Sequence, residues 1–254
     1  PVFADGQLLG FVCNIAHHAD IGGMSPGSMA GGMKDIYQEG LRIPVVKLFR
    51  KGKLDQDIFD ILLLNVRVRE ERRGDYNAQF SALHLAARRL FEMINKYSGD
   101  VIRNVFNEII DRTYERMLSA ITLIPDGVYR FEDVMDDDGR EAVNVPINLT
   151  ATIKGKSALF DFAGTSPQTP GNINIPLHGT KAAVCYVLKA MLDPEIPNNQ
   201  GVLDAVEVVA PMGTMVSCIA PASVAARAHT SQRIIDVVIG ALSSAFPEAA
   251  VGAA

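Results

Sequence analysis

In the middle of the chain, apolar residues recur every three to four positions; on either side they alternate or run together. This change of period divides the sequence. Between residues 75 and 97, Phe80, Leu83, Ala87, Leu90 and Ile94 fall on one face of a helix. Between residues 100 and 122, Val101, Val105, Ile109 and Met117 do the same. Two long helices are predicted, joined at Ser98-Gly99 as an antiparallel pair. Asp55 is placed to cap a preceding helix that runs to about residue 67. Towards the N-terminus, residues 1–3 have the pattern of a strand end and Asp5-Gly6 that of a hairpin turn. Residues 8–16 are then the return strand, buried and delivering polar side chains at its end. Residues 24–40, rich in glycine and methionine, predict a long ordered loop with one helical turn near 34–38. Residues 41–49 carry Pro44 and predict an edge strand or extended segment, followed by a turn at 50–53.

After Gly127 the period changes to that of strands, at 128–134, 143–153 and 157–162, with hairpin signals at Asp136-Asp-Asp-Gly139 and Gly155-Lys156. Three consecutive carboxylates at a hairpin tip point in different directions, so a solvated turn is expected there rather than a cation site. A polar, proline- and glycine-rich loop at 164–176 leads to a helix at 180–192, a strand at 203–210 and a last helix at 234–246. Thr230 or Ser231 is placed to cap that helix. The fold class is α+β, with mixed sheets, a long helical hairpin and covering helices. Three regions are expected: 1–53 with strands and a glycine-rich loop, 54–125 helical, and 126–254 a second α+β region. The abrupt start at Pro1 and the trailing end after Phe246 read as a fragment of a larger chain.

Composition narrows the function classes. With 254 residues, 48% hydrophobic, the chain is long enough for a sizeable core. A net charge of −5 with 21% charged residues of mixed sign disfavours nucleic acid as the main partner. The odd set Cys13, Cys185 and Cys218 lacks CxxC spacing and lies in apolar stretches, so buried thiols in a reducing, cytoplasmic setting are expected. No apolar run is long enough to span a bilayer. The sequence holds no Walker A motif and no GxGxxG after a strand. Arg67, Arg69, Arg72 and Arg73, mixed with Glu70 and Glu71, are read as a solvated helix end in preference to a phosphate site.

The chemistry concentrates in His17, His18 and Asp20, followed by Gly22, Gly23 and Pro26-Gly-Ser28. Imidazole and carboxylate suit Zn, Mn or Fe, and the same groups serve as acid–base catalysts. The spacing matches no standard zinc motif, and surface histidines flanking a turn remain the alternative. His84, His178 and His229 are weaker candidates, the first as a structural residue within a helix.

Several blocks together resemble the hydantoinase B/oxoprolinase family. They are the Pro1 to Phe11 segment, His17-His-x-Asp-Ile-Gly-Gly23, Pro26-Gly-Ser28, Glu39-Gly-Leu-Arg-Ile-Pro44 with Lys47-Leu48, and Gly74-Asp75. Asp161-Phe-x-Gly-Thr-Ser166, Gly171-x-Ile-Asn174 and Thr230-Ser-Gln-Arg-Ile-x-Asp236 follow in the same order. Two departures are Val45, where a second proline is common, and residues 225–230, which differ from a glycine- and asparagine-rich version.

The resemblance implies a B-type subunit of an ATP-dependent cyclic amide hydrolase of the hydantoinase or 5-oxoprolinase type. An A-type partner subunit or domain would bind ATP and activate the substrate, and the B-type part would open the ring of the activated intermediate. It implies a divalent metal, Zn or Mn, with His17 as a ligand. The other ligands would come from an upstream motif that this chain does not contain, which leaves the isolated fragment inactive. Asp20 and His18 are then the catalytic candidates. Gly22, Gly23, Gly27 and Ser28 would let the backbone approach an oxyanion or phosphate. Two alternatives stay open: the alpha-type subunit of an ATP-dependent ketone carboxylase, and a noncatalytic scaffold for the A-type partner.

Overall fold

The computed structural model describes residues 1–28 and 30–247. These form two compact units, one of residues 1–28 with 39–109, the other of residues 30–38 with 110–247. The units do not follow the three regions read from the sequence. The helical stretch is divided between them, and part of the glycine-rich loop belongs with the C-terminal residues.

In the first unit, β1 (Val2–Ala4) and β2 (Gln7–Gly10) form a short antiparallel hairpin over Asp5-Gly6. β3 (Phe49–Arg50) and β4 (Lys53–Leu54) form a second, and residues 41–48 before it belong to no strand; they are tied at their ends, where the Leu41 amide donates to the Ile21 carbonyl and the Leu48 carbonyl accepts from the Asp55 amide. α1 (Gln56–Leu64) starts where Asp55 accepts a hydrogen bond from the Ile58 amide at 3.3 Å. α2 (Arg69–Tyr97) begins six residues before the expected start. Glu70 and Glu71 sit in its first turn, where carboxylates suit the positive end of the helix dipole. Phe49, Phe59, Tyr76 and Phe80 build an aromatic cluster between β3, α1 and α2, with ring centroids 5.0–6.4 Å apart. α3 (Gly99–Ile121) follows α2 through Ser98 alone. Gly99 is required there, because a Cβ would lie 2.7 Å from that of Ala4.

The expected stripe of α3 is split. Met117 is fully buried, but Val101, Val105 and Ile109 are nearly half exposed. The return strand also differs from its prediction: β2 stops at Gly10, and Phe11 and Ile15 lie exposed in an irregular segment. β1 offers only three residues of ladder, so the apolar run beyond Gly10 has no strand to pair with among the described residues.

The second unit is a four-stranded sheet in the order β5-β6-β7-β8, formed by β5 (Gly127–Asp137), β6 (Val143–Lys154), β7 (Ser157–Asp161) and β8 (Glu207–Val209). The first two pairings are antiparallel and β7–β8 is parallel. β6 shows the alternation that a one-sided core demands: Val145, Ile147, Leu149, Ala151 and Ile153 are all buried. α6 (Arg227–Leu242) covers β5 and β6, and α4 (Leu177–Leu192) packs against α6. Gly240 brings α6 close to β5, since a Cβ there would meet the Phe131 ring at 2.7 Å.

The predicted strand at 203–210 is a short helix, α5 (Gln200–Asp204), capped by Asn199, followed by β8. α6 starts at Arg227, not at residue 234. Thr230 is therefore inside the helix and donates its hydroxyl to the Ile173 carbonyl instead of capping. The hairpin at Asp136 to Gly139 is not simply solvated. Asp138 is 1% exposed, and its carboxylate accepts from the amides of Arg140, Glu141, Ala142 and Gly171. Gly171 is obligatory there: a Cβ would stand 2.0 Å from the Asp138 carbonyl oxygen. Of the cysteines expected to be buried, only Cys185 is; Cys13 is exposed and Cys218 half-buried. Burial pushes the Cys185 thiol up to about 11. No helix among the described residues is long and apolar enough to cross a membrane.

Candidate functional site

The His–Asp cluster lies in the first unit, on the irregular segment after β2. Asp20 is its centre and is 3% exposed. One carboxylate oxygen accepts from the Gly22 amide at 2.8 Å and the Arg67 amide at 3.3 Å. The other accepts from the Gly27 amide at 3.1 Å and the Arg67 guanidinium at 2.8 Å. Arg67 also reaches the carbonyls of Gly23 at 2.6 Å and Ser25 at 3.0 Å. The Ser28 hydroxyl closes the same turn, accepting from the Ile21 amide and donating to the Gly22 carbonyl, each at 2.8 Å. Gly22 satisfies two demands at once: its φ is +88°, and a Cβ would sit 2.5 Å from the Asn65 carbonyl oxygen.

These bonds revise the roles drawn from the sequence. Burial alone would raise the Asp20 pKa, but the Arg67 guanidinium and the surrounding amides outweigh it and hold the carboxyl at about 2. A carboxylate with four donors and that acidity is a poor proton acceptor; it folds the loop. The amides of Gly22 and Gly27 are spent on Asp20 and the Ser28 hydroxyl on the backbone, so none of the three is open to an oxyanion or phosphate. The Gly23 amide makes no hydrogen bond among the described residues and remains open.

His18 is also committed. Its side chain is 9% exposed. Nδ1 accepts from Arg72 Nη1 at 3.1 Å, and Nε2 lies 3.2 Å from Gln79 Oε1. Arginine only donates and an amide oxygen only accepts, so the ring is the neutral Nε2–H tautomer. Tyr76 lies 5.0 Å away, ring to ring, and Asp75 holds Arg72 at 2.6 Å. Gln79 in turn exchanges hydrogen bonds with Asn14. Arg72 is 4% exposed, and its Nε has no partner.

His17 contrasts with both. It is exposed, and its ring makes no hydrogen bond among the described residues. Of the three residues singled out in the sequence, it alone presents an unengaged functional group. Among the described residues no three His, Cys, Asp or Glu side chains come together in an arrangement able to hold a metal. His84 lies on α2 against the Phe49 ring, His178 in the first turn of α4 and His229 in the first turn of α6.

Sequence reasoning missed the arginines. The cluster at 67–73 was visible but read as solvated, whereas Arg67 builds the loop and Arg72 is buried on His18. A signal was present. Positions 72, 75, 76 and 79 share one helix face, so a cation, a carboxylate, a ring and an amide project together.

The family description hydantoinase B/oxoprolinase matches residues 1–254, and the chain belongs to that family. It is 34% identical over 259 residues to a protein of Pseudomonas sp. (strain NS671) described as the B-type polypeptide of a D-/L-hydantoinase, covering 97% of this chain and 44% of that protein. The crystal structure of the ATP-dependent caprolactamase from Pseudomonas jessenii superposes with a TM-score of 0.83 at 31% identity, over 90% of this chain and 40% of that one. Nucleotide-free acetone carboxylase shares the fold, with a TM-score of 0.83 at 18% identity over 98% of this chain and 34% of that one. The chain thus spans less than half the length of these relatives.

Proposed function

We propose that the chain is part of the B-type subunit or domain of an ATP-dependent cyclic amide hydrolase, and that it acts on an intermediate activated by an A-type partner in the cytoplasm. The observation that carries this reading is family membership along the whole chain, together with 31% identity to a caprolactamase that shares the fold.

An amide carbonyl is a weak electrophile. ATP-dependent activation on the partner makes its carbon open to water, and ring opening follows. In this reading His17 is the residue that meets the reacting group, because its imidazole is exposed and unengaged. The free Gly23 amide offers a donor for charge developing on the former carbonyl oxygen. Asp20 and Arg67 fix the loop that carries both residues, and His18, clamped by Arg72, anchors the segment on which His17 stands. Asp20 and His18 are thereby positioning residues. A zinc or manganese ion would take one ligand from this chain, His17. His18 and Asp20 are committed within the protein, so the described residues do not by themselves fit a metal centre.

Acetone carboxylase shares the fold, which supports a second reading as the alpha-type subunit of a ketone carboxylase. One experiment separates the two: the complete natural protein, purified with its A-type partner, is assayed for ATP consumption and ring opening with 5-oxoproline, hydantoins and lactams. The assays are run with and without bicarbonate, beside His17→Ala. Ring opening that requires ATP but not bicarbonate, and is lost in the variant, is the expected result. Turnover of a ketone only with bicarbonate assigns the carboxylase chemistry. Activity unchanged by His17→Ala removes His17 from the reaction.

A further inference from the structure

The second unit contains a cleft of about 470 Å³ that the candidate site does not use. Its walls are the tip of the β5–β6 hairpin, the segment at Asn172, and one face of α6. His229, Arg233 and Asp236 are spaced three and four apart on that helix, so they share the face turned to the cleft. The opposite face, with Ile234, Val237, Val238 and Ala241, is in the core.

Several polar groups in this cleft keep hydrogen-bonding capacity that the described residues do not use. Asn172 is 8% exposed; its Nδ2 donates to the Ala30 carbonyl at 2.8 Å, and its Oδ1 accepts from nothing among the described residues. The Asp236 side chain is 15% exposed. Its nearest charged partner is Arg233 at 3.9 Å, beyond hydrogen-bond reach. Arg233 is anchored through Nη1 to Asp133 at 2.8 Å, which leaves its other N–H groups unpaired among the described residues. His229 is exposed with its ring unengaged, and Asp136 is an exposed carboxylate on the hairpin side. The Asn172 amide oxygen and the Asp236 carboxylate therefore open on the cleft with no donor among the described residues, and both are free to accept N–H groups from a ligand.

We propose that this cleft binds a small amino carboxylate. The ligand's ammonium group goes to Asp236 and Asn172 Oδ1, and its carboxylate to Arg233 and His229. The positive end of the α6 dipole favours the carboxylate there. Hydrolysis of a lactam ring releases an amine-bearing carboxylate, the same chemical class. The cleft is therefore a product or effector site, and that identification rests on the hydrolase reading above, whereas the ligand class rests on the cleft alone.

Binding is tested by calorimetry on the complete natural protein. The probes are glutamate and 6-aminohexanoate, with hexanoate and hexylamine as singly charged controls. The expected result is saturable binding of an amino carboxylate at least about tenfold tighter than either control. Asp236→Asn and Arg233→Gln each weaken it about tenfold or more at unchanged melting temperature. If either variant fails to fold, His229→Gln, at an exposed position, decides through a severalfold loss of affinity. Absence of binding at millimolar concentration, equal affinity for the controls, or insensitivity to the variants overturns the proposal. Failure of ATP-dependent ring opening with intact binding removes only the product identification; ring opening without binding removes the cleft.

Discussion

Asp20 and Arg67 stand 47 residues apart and meet at 2.8 Å, with the carboxylate almost wholly buried and the guanidinium less than half exposed. This pair holds the loop that follows His17. Asp20→Ala strips four donors of their acceptor and leaves the Arg67 cation with carbonyl oxygens but no carboxylate. We expect a loss of about 3 kcal/mol in urea unfolding. A loss below about 0.5 kcal/mol would show that the loop holds without it.

Acid separates the buried carboxylates from the exposed ones. Asp20 sits at about 2 in the folded protein. Asp138 is shifted the same way: burial would raise it, but four backbone amides lower it. A folded pKa below the unfolded value means that the unfolded chain binds protons first as pH falls. The stabilisation is complete above the ordinary aspartate value and disappears as pH drops from there through about 2 for Asp20. Melting temperature measured from pH 5 to pH 2 should fall across that window. Asp20→Asn, less stable throughout, should show a shallower fall.

The two adjacent histidines predict opposite phenotypes. His17→Ala removes an exposed ring with no partner and should change stability by less than about 0.5 kcal/mol. His18→Ala removes the acceptor of a buried arginine and should cost about 2 kcal/mol. Thermal denaturation of the two variants side by side checks this; equal losses would contradict the assignment of His18 as the anchor.

Gly171→Ala forces a methyl group against the backbone of Asp138 in the β5–β6 hairpin. About 3 kcal/mol of destabilisation is expected, with no relief from side-chain repacking because the obstacle is a carbonyl. Ile147→Ala, at the fully buried centre of β6, should cost about 3–4 kcal/mol by cavity formation. A two-state urea titration measures both.

Periodicity made the long helices, the β5–β6–β7 hairpins and the α+β class legible, because each repeats its pattern over many residues. It misplaced what tertiary contacts decide. Residues 8–16 have strand composition, but pairing needs a neighbour that β1 is too short to be. Asp138 looked solvated because its burial depends on a loop thirty-three residues later donating the Gly171 amide. The His-His-x-Asp block was visible as a candidate site, but which of its side chains are engaged was not. Whether an imidazole is open or clamped depends on Arg72 and Gln79, which are far away in sequence and close only on the folded α2.

The order in which the two units occur along the chain constrains how they can be made and cut. Residues 30–38 belong with residues 110–247, where Ile36 donates to the Pro221 carbonyl and Ala30 accepts from Asn172. During synthesis that short segment leaves the ribosome long before its partners exist, so it stays unfinished while the rest of the first unit is still being made. No single scission yields both units whole. An expression boundary drawn at residue 110 would give a C-terminal piece lacking the segment that should lie against Asn172 and Pro221.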